Sequence, residues 1–163
     1  MPRFTLKLSR AALASILPLF LAATPSMAKD QKRTIIPPSH KQTYENFQYA
    51  PAVRAGDMLY LSGVVARLDK GETIDNIAPA MNRAFDEIEL ILKEAGADWS
   101  DVVDVTSYIT NFDKLAEPMW AVKVKRVPAP HPAWTAIGVD RLFGGDAALI
   151  EIKVTAYLPQ QEN

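Results

Sequence analysis

A run of alternating residues near the C-terminus constrains the fold of this chain more than any other stretch. Between Ala147 and Tyr157, Ile150 and Ile152 fall on one side, and Glu151 and Lys153 fall on the other. A period of two is typical of a strand that has one buried and one open face. A carboxylate between two isoleucines is either an acid–base group at a site or an ordinary solvated side chain. The spacing alone leaves both interpretations of Glu151 open.

The first 28 residues have the order of a secretory signal peptide. Residues 1–10 hold three basic residues and no acid, residues 11–23 are almost wholly apolar, and Ser26 and Ala28 supply a small-x-small site. The apolar run is too short to cross a bilayer, which needs about 20 residues. We therefore expect cleavage after Ala28 and a periplasmic or secreted protein; an uncleaved anchor or a disordered tail is the alternative.

Composition narrows the function of the remaining chain. Beyond residue 28 there are 15 Lys and Arg against 19 Asp and Glu, so the net charge is −4, with no basic run. Such a domain is a poor candidate for binding nucleic acid. The chain has no Cys, which excludes disulfides, thiol nucleophiles and thiolate metal sites. His40 and His131 lie far apart in the sequence, so we expect no metal site.

The chain is long enough for one domain, which we place at residues 44–160 after a flexible arm at 29–43. Hydrophobic periodicity and turn residues predict the order strand, strand, helix, strand, helix, strand, strand. The predicted bounds are 44–53, 58–65, 76–95, 102–109, 111–124, 134–139 and 147–157. Gly63, inside a strand-like run, suggests a bulge or a close backbone approach.

This order is typical of an α+β domain in which two helices cover one face of a mixed sheet. The other face is then either solvated or paired with another subunit. Leu61, Val103, Val105 and Ile152 make the sheet apolar, and we therefore predict an oligomer.

Several short motifs, in a fixed order, resemble the RidA/YjgF family, also called the L-PSP endoribonuclease-like family. The similarity runs from about Tyr49 to Pro159. It rests on Val53-Arg54-Ala55-Gly56-Asp57 leading into Leu61-Ser62-Gly63, Glu94-Ala95-Gly96-Ala97 before Asp101-Val102-Val103, Pro132-Ala133-Trp134-Thr135, and Ile150-Glu151-Ile152. The resemblance implies a chorismate-mutase-like fold and a homotrimer with ligand clefts between subunits. It also implies hydrolysis of enamines and imines to a keto acid and ammonia, without a cofactor.

The resemblance assigns roles to individual residues. Glu151 matches a Glu that orients or activates water, and Tyr49 matches a Tyr of the cleft. Ser62, Gly63 and the backbone of Val64 match the Ser-Gly segment that completes the cleft, although Val64 replaces a usual Gln. Thr135 joins these as a candidate substrate contact.

Trp134 stands where the family has an Arg that binds the substrate carboxylate. An indole has one hydrogen-bond donor and a guanidinium has five. Loss of a bidentate pair, about 1.5–3 kcal/mol per bond, should weaken binding of a 2-imino acid by about 10²–10⁴-fold. We therefore expect a neutral or aromatic ligand. Alternatively, Trp134 fills the cleft, or Arg54 or Arg126 supplies the missing cation; Arg141 matches a family Arg outside the catalytic pair.

Two functions stay open from the sequence. One is a deaminase that acts on a small imine or enamine, with Glu151 holding water. The other is a trimeric small-molecule-binding protein without catalysis, in which Trp134 and Tyr49 stack on the ligand. The acidic charge disfavours a third, ribonuclease activity. In every case the expected partners are a small molecule and further copies of the chain, with no membrane contact after signal cleavage.

When the full chain is expressed in an exporting bacterium, the mature protein should begin at Lys29, because the small residue at Ala28 suits signal peptidase. Intact-mass measurement of the exported protein checks this. Ala28→Trp should block cleavage and leave the precursor mass. An exported wild-type protein that still begins at Met1 would contradict the assignment.

Overall fold

The computed structural model describes residues 32–159 as three helices and a seven-stranded sheet. The predicted signal peptide and the first residues of the predicted arm lie outside this range. The strands are β1 (Arg33–Ile35), β2 (Ala52–Ala55), β3 (Met58–Leu61), β4 (Val64–Arg67), β5 (Val102–Ile109), β6 (Ala133–Gly138) and β7 (Ala148–Tyr157). The helices are α1 (Lys41–Phe47), α2 (Ala78–Glu94) and α3 (Phe112–Arg126).

Strand β7 lies at the centre of the sheet, whose order is β1-β2-β3-β7-β5-β6. One edge of β7 pairs with both β3 and β4, and its other edge pairs with β5, all antiparallel. The β5–β6 pair is parallel, so the sheet is mixed as predicted. The alternating run therefore forms the strand on which most of the others assemble.

Helices α2 and α3 cover one face of the sheet, and the core lies between these layers. In α2, Met81, Phe85, Ile88 and Leu92 form one fully buried stripe at helical spacing. They meet the buried side of β7, which includes Ile152. Each such side chain contributes about 1.5–3 kcal/mol on burial. The predicted α+β class, with helices on one face of a mixed sheet, is confirmed.

The opposite face of the sheet carries half-exposed apolar side chains. Tyr60 is 45% exposed, Ile137 is 40% exposed and Tyr157 is 47% exposed. Glu151 and Lys153 lie on this face as well, because they alternate with the buried residues of β7. None of the helices in residues 32–159 is long and apolar enough to cross a membrane.

The first part of the described chain differs from the prediction. Residues 29–43 were predicted as a flexible arm, but within them Arg33–Ile35 form β1, in which Ile35 is buried and pairs with Ala52. Lys41–Phe47 form α1, which spans the end of the predicted arm and the start of the strand predicted at 44–53. Burial of Ile35 fixes this segment to the sheet. Helix α1 has no buried residue, so no apolar stripe in the sequence indicates it.

Candidate active-site clefts around Glu151

The run predicted as one strand at residues 58–65 is interrupted at Ser62 and Gly63. Strands β3 and β4 both pair with β7, but these two residues do not. The Ser62 N–H instead donates to the Pro51 carbonyl at 2.8 Å, and its Oγ donates to the Ala50 carbonyl at 2.6 Å. These two bonds hold the interruption against the segment that follows α1.

The carboxylate of Glu151 packs directly on the backbone of Gly63. A Cβ atom added to Gly63 would lie 1.8 Å from Glu151 Oε1, 2.6 Å from Cδ and 2.7 Å from Cγ. No residue with a side chain can occupy this position while the carboxylate stays where it is. The close backbone approach suggested by Gly63 is therefore to Glu151 itself.

Two clefts meet at this carboxylate. The larger, of about 690 Å³, lies on the open face of the sheet. It is lined by polar and aromatic side chains, including Tyr60, Tyr108, Arg141, Phe143, Glu151 and Lys153. The second, of about 400 Å³, is more apolar and is lined by Thr43, Phe47, Tyr49, Val65, Phe143 and Glu151. Ser62 and Gly63 form part of the wall of both.

The structure brings most of the predicted site residues together. Glu151, Ser62, Gly63 and Tyr49 all line the 400 Å³ cleft. Val64 lies in a third, adjoining cleft of about 290 Å³, whose wall also includes Tyr49, Ser62 and Gly63. These five residues, taken from three separate stretches of sequence, therefore surround one interrupted strand.

Trp134 and Thr135 lie elsewhere within the chain. Trp134 is in register with buried Val105, on the face covered by α3, and its Nε1 donates to Ser107 Oγ at 3.0 Å. Thr135 points to the open face but lines neither cleft described above. Trp134 and Glu151 thus lie on opposite faces of one sheet. The predicted contact between the Trp134 indole and the Glu151 carboxylate stays a prediction. It requires Trp134 from another copy of the chain.

Lys123 of α3 lies beside Trp134. Its Nζ is 5.0 Å from the centroid of the Trp134 ring and 4.1 Å from that of Trp120, so the ammonium stands between two indole faces. The lysine is 7% exposed. Cation–π attraction stabilises such a charge where water is excluded.

Neither candidate replacement for the missing cation reaches Glu151 in this chain. Arg54 donates to the backbone carbonyls of Gly56 and Leu158, at 3.0 and 2.7 Å. Arg126 lies on the helical side, where it pairs with carboxylates of α2 at 2.6 and 3.0 Å. Both guanidinium groups therefore have structural partners away from the clefts.

Arg141 and Lys153, which were not predicted as site residues, do line the larger cleft. Lys153 could have been found from the sequence, because it lies two residues after Glu151 on the same face of the strand. Arg141 and Phe143 lie in the loop between β6 and β7, where no periodicity indicates the direction of a side chain. The larger cleft therefore contains two cationic side chains, although Trp134 stands where the family has an arginine.

The arrangement suits acid–base chemistry on a small molecule. A carboxylate beside a cleft can hold a water, accept its proton and return that proton to a leaving group. The tyrosines at positions 49, 60 and 108 supply further hydroxyls. Within residues 32–159, no group of three or more His, Asp or Glu side chains has the spacing of a metal site.

Comparison with known proteins identifies relatives over most of the chain. A family model described as Endoribonuclease L-PSP matches residues 41–158. The RutC family protein YjgH of Escherichia coli K12 is 34% identical over 132 residues, which cover 80% of this chain and 98% of that protein. The structure of NMB1025 from Neisseria meningitidis, described as a YjgF family member, matches with a TM-score of 0.65 at 26% identity, covering 81% and 98% of the two chains. The 2-iminobutanoate/2-iminopropanoate deaminase of Dermatophagoides farinae is 30% identical over 96 residues, or 58% and 74% of the two chains.

Replacing Gly63 with Ala should destabilise the protein by about 1–3 kcal/mol, because the new methyl group forces the Glu151 side chain out of its position. Urea unfolding of Gly63→Ala measures the loss. The matched control is the same substitution in a Glu151→Ala background, where the clashing atoms are gone and most of the loss should disappear. An equal loss in both backgrounds would show that Glu151 does not occupy this space.

Proposed function

The chain belongs to the L-PSP endoribonuclease, or RidA/YjgF, family, and we propose that it hydrolyses a small imine or enamine to a carbonyl compound and ammonia. The predicted family and its α+β fold are thus confirmed, and the activity is our proposal. One relative is named as an imine deaminase. The observation that carries the proposal in this chain is the Glu151 carboxylate, held on Gly63 where two clefts meet.

The proposed reaction needs only water and one carboxylate. Water attacks the carbon of the protonated C=N bond (the iminium form of the imine) while Glu151 accepts a proton from that water, which leaves a neutral carbinolamine. The carboxyl then returns the proton to nitrogen, ammonia leaves as the C–N bond breaks, and the carbinol O–H proton passes to solvent as C=O forms. An enamine enters the same sequence once its carbon is protonated by solvent to give the iminium. The products are a carbonyl compound and ammonia, and no oxidant or reductant is consumed.

We propose that the substrate is neutral or aromatic rather than a simple 2-imino acid. Trp134 replaces the cation that the family uses, and Phe47, Tyr49 and Phe143 line the apolar cleft next to Glu151. Rings of this kind bind planar ligands by offset or edge-to-face contact. Arg141 and Lys153 line the larger cleft, so aromatic imines with an acidic group belong in the same comparison.

The alternative is a protein that binds such a ligand without turnover. The exposed aromatic residues around the 400 Å³ cleft favour it: Phe47 is 66% exposed, Tyr49 is 47% exposed and Phe143 is 92% exposed. Ligand binding measured by calorimetry, together with no ammonia release, would distinguish this function from the deaminase.

We also propose that the protein is an exported homotrimer. The signal-like residues 1–28 support export. The apolar side chains on the open face support assembly, since a closed ring would bury them. In such a ring Trp134 of one copy can approach Glu151 of the next, which a single chain does not allow.

Ammonia release from imines generated in the assay by an amine oxidase, or by an amino-acid oxidase for the 2-imino acids, should exceed the rate in buffer. It should fall about 10²–10⁴-fold in Glu151→Gln, which removes the acid–base group. The panel contains neutral aromatic, acidic aromatic and small 2-imino acid substrates. Glu94→Gln, on the exposed end of α2, is the matched control and should retain the wild-type rate. Equal rates for wild type and Glu151→Gln would refute this role, and no rate above buffer would favour the binding function.

Light scattering of the purified protein should give three times the mass of the chain. Ile137→Glu places a charge on the apolar open face and should shift the mass to that of a single chain, because burying an unpaired carboxylate is costly. Val124→Glu introduces the same charge on the exposed side of α3, where Val124 is 56% exposed, and should leave the mass unchanged. A wild-type mass equal to one chain would contradict the trimer.

A further inference from the structure

A second acid lies close to the clefts but on the other side of the strand interruption. Glu87 of α2 contacts Nε2 of His40, and the Nδ1 of the same imidazole is 3.1 Å from Ser39 Oγ. The side chains of His40 and Glu87 are 18% and 33% exposed. Glu87 Oε1 is buried against the imidazole ring of His40. The exposed fraction of the Glu87 side chain therefore belongs to its other atoms.

This pair lines the third cleft, of about 290 Å³. The cleft lies beside β4, between α1 and α2, and its polar lining includes His40, Thr43, Tyr49 and Glu87. Within residues 32–159, no lysine or arginine lines this cleft. The larger cleft on the Glu151 side, by contrast, contains both Arg141 and Lys153.

The charge of this lining favours one class of ligand. The Glu87 carboxylate gives the cleft a negative charge in a partly desolvated place. A hydrogen-bond donor that carries positive charge matches it best, since charge-assisted bonds to a carboxylate are the stronger kind. Hydroxyl groups of Thr43 and Tyr49 can accept the remaining donors of a primary ammonium.

We propose that Glu87 and His40 form a second subsite, which binds the primary ammonium group of a small molecule. Glu87 accepts the hydrogen bond, and His40 fixes the orientation of its carboxylate. The subsite shares Tyr49, Ser62 and Gly63 with the clefts around Glu151. A ligand anchored here by an amine therefore extends toward Glu151. The subsite requires no turnover at Glu151, so it stands or fails independently of the deaminase.

The competing interpretation is purely structural. Helix α1 has no buried residue, and contact between His40 and Glu87 ties its N-terminal end to α2. A structural tie needs no ligand and predicts no preference among small ions. The two interpretations therefore differ in a binding measurement on the wild-type protein.

Imidazole NMR provides that measurement, because the chain has only two histidines. The His131→Gln variant identifies the His40 Cε1–H signal. At pH 8 the protein is titrated with benzylammonium chloride and separately with sodium benzoate at equal ionic strength. The two probes have similar shape and opposite charge.

Benzylammonium should shift the His40 signal saturably, with a Kd on the order of millimolar for so small a ligand, and benzoate should not. Glu87→Gln should weaken binding at least about 10-fold, whereas Glu94→Gln, at the exposed end of α2, should leave it unchanged. Circular dichroism confirms that each variant is folded, and Glu87→Asp, which keeps the carboxylate, should retain more binding than Glu87→Gln. The absence of a saturable shift in wild type, an equal response to benzoate, or unchanged affinity in folded Glu87→Gln would overturn the subsite.

Discussion

The contact between the Glu151 carboxylate and the backbone of Gly63 determines the geometry of the candidate site. Glu151 is fixed at one end by β7, the central strand, whose buried residues hold the sheet to α2. It is fixed at the other end by a backbone position that has room for nothing larger than hydrogen. The interruption at Ser62 is what brings that backbone over the carboxylate without extending the ladder between β3 and β7. The position of the Glu151 carboxylate therefore depends on the strand pairing of the sheet and not on the conformation of a loop.

Much of the fold was predictable because its strongest elements have a clear period. Strand β5 has the predicted bounds, and α2 lies within the predicted helix, since each buries a continuous apolar face. The first elements were missed for the opposite reason. Strand β1 has only three residues, and α1 has no buried residue. Their structure is therefore determined by pairing and contacts with the rest of the fold, and not by a hydrophobic period in their own sequence.

The sequence predicted residues of the candidate site only where a polar residue or a glycine interrupts the alternating pattern of a strand. Glu151 and Gly63 stand out in the sequence because a charge and a glycine interrupt apolar runs. Trp134 shows the limit of such reasoning. Its face in the sheet depends on the parallel register between β5 and β6, which the sequence of one strand does not reveal. The His40–Glu87 contact joins residues far apart in the chain, and only the folded structure identifies it.

Helix α1 differs from the rest of the domain in how it is held. Isolated helices shorter than about 12–15 residues are marginal in water, so a seven-residue helix without a buried side chain persists only through attachments at its ends. Segments of this type open with free energies well below that of global unfolding. Helix α1 forms one wall of two clefts. Substitutions in this helix can therefore change which molecules the clefts admit while the sheet remains intact. The clefts can therefore change in part of their lining without loss of the strands that maintain the fold.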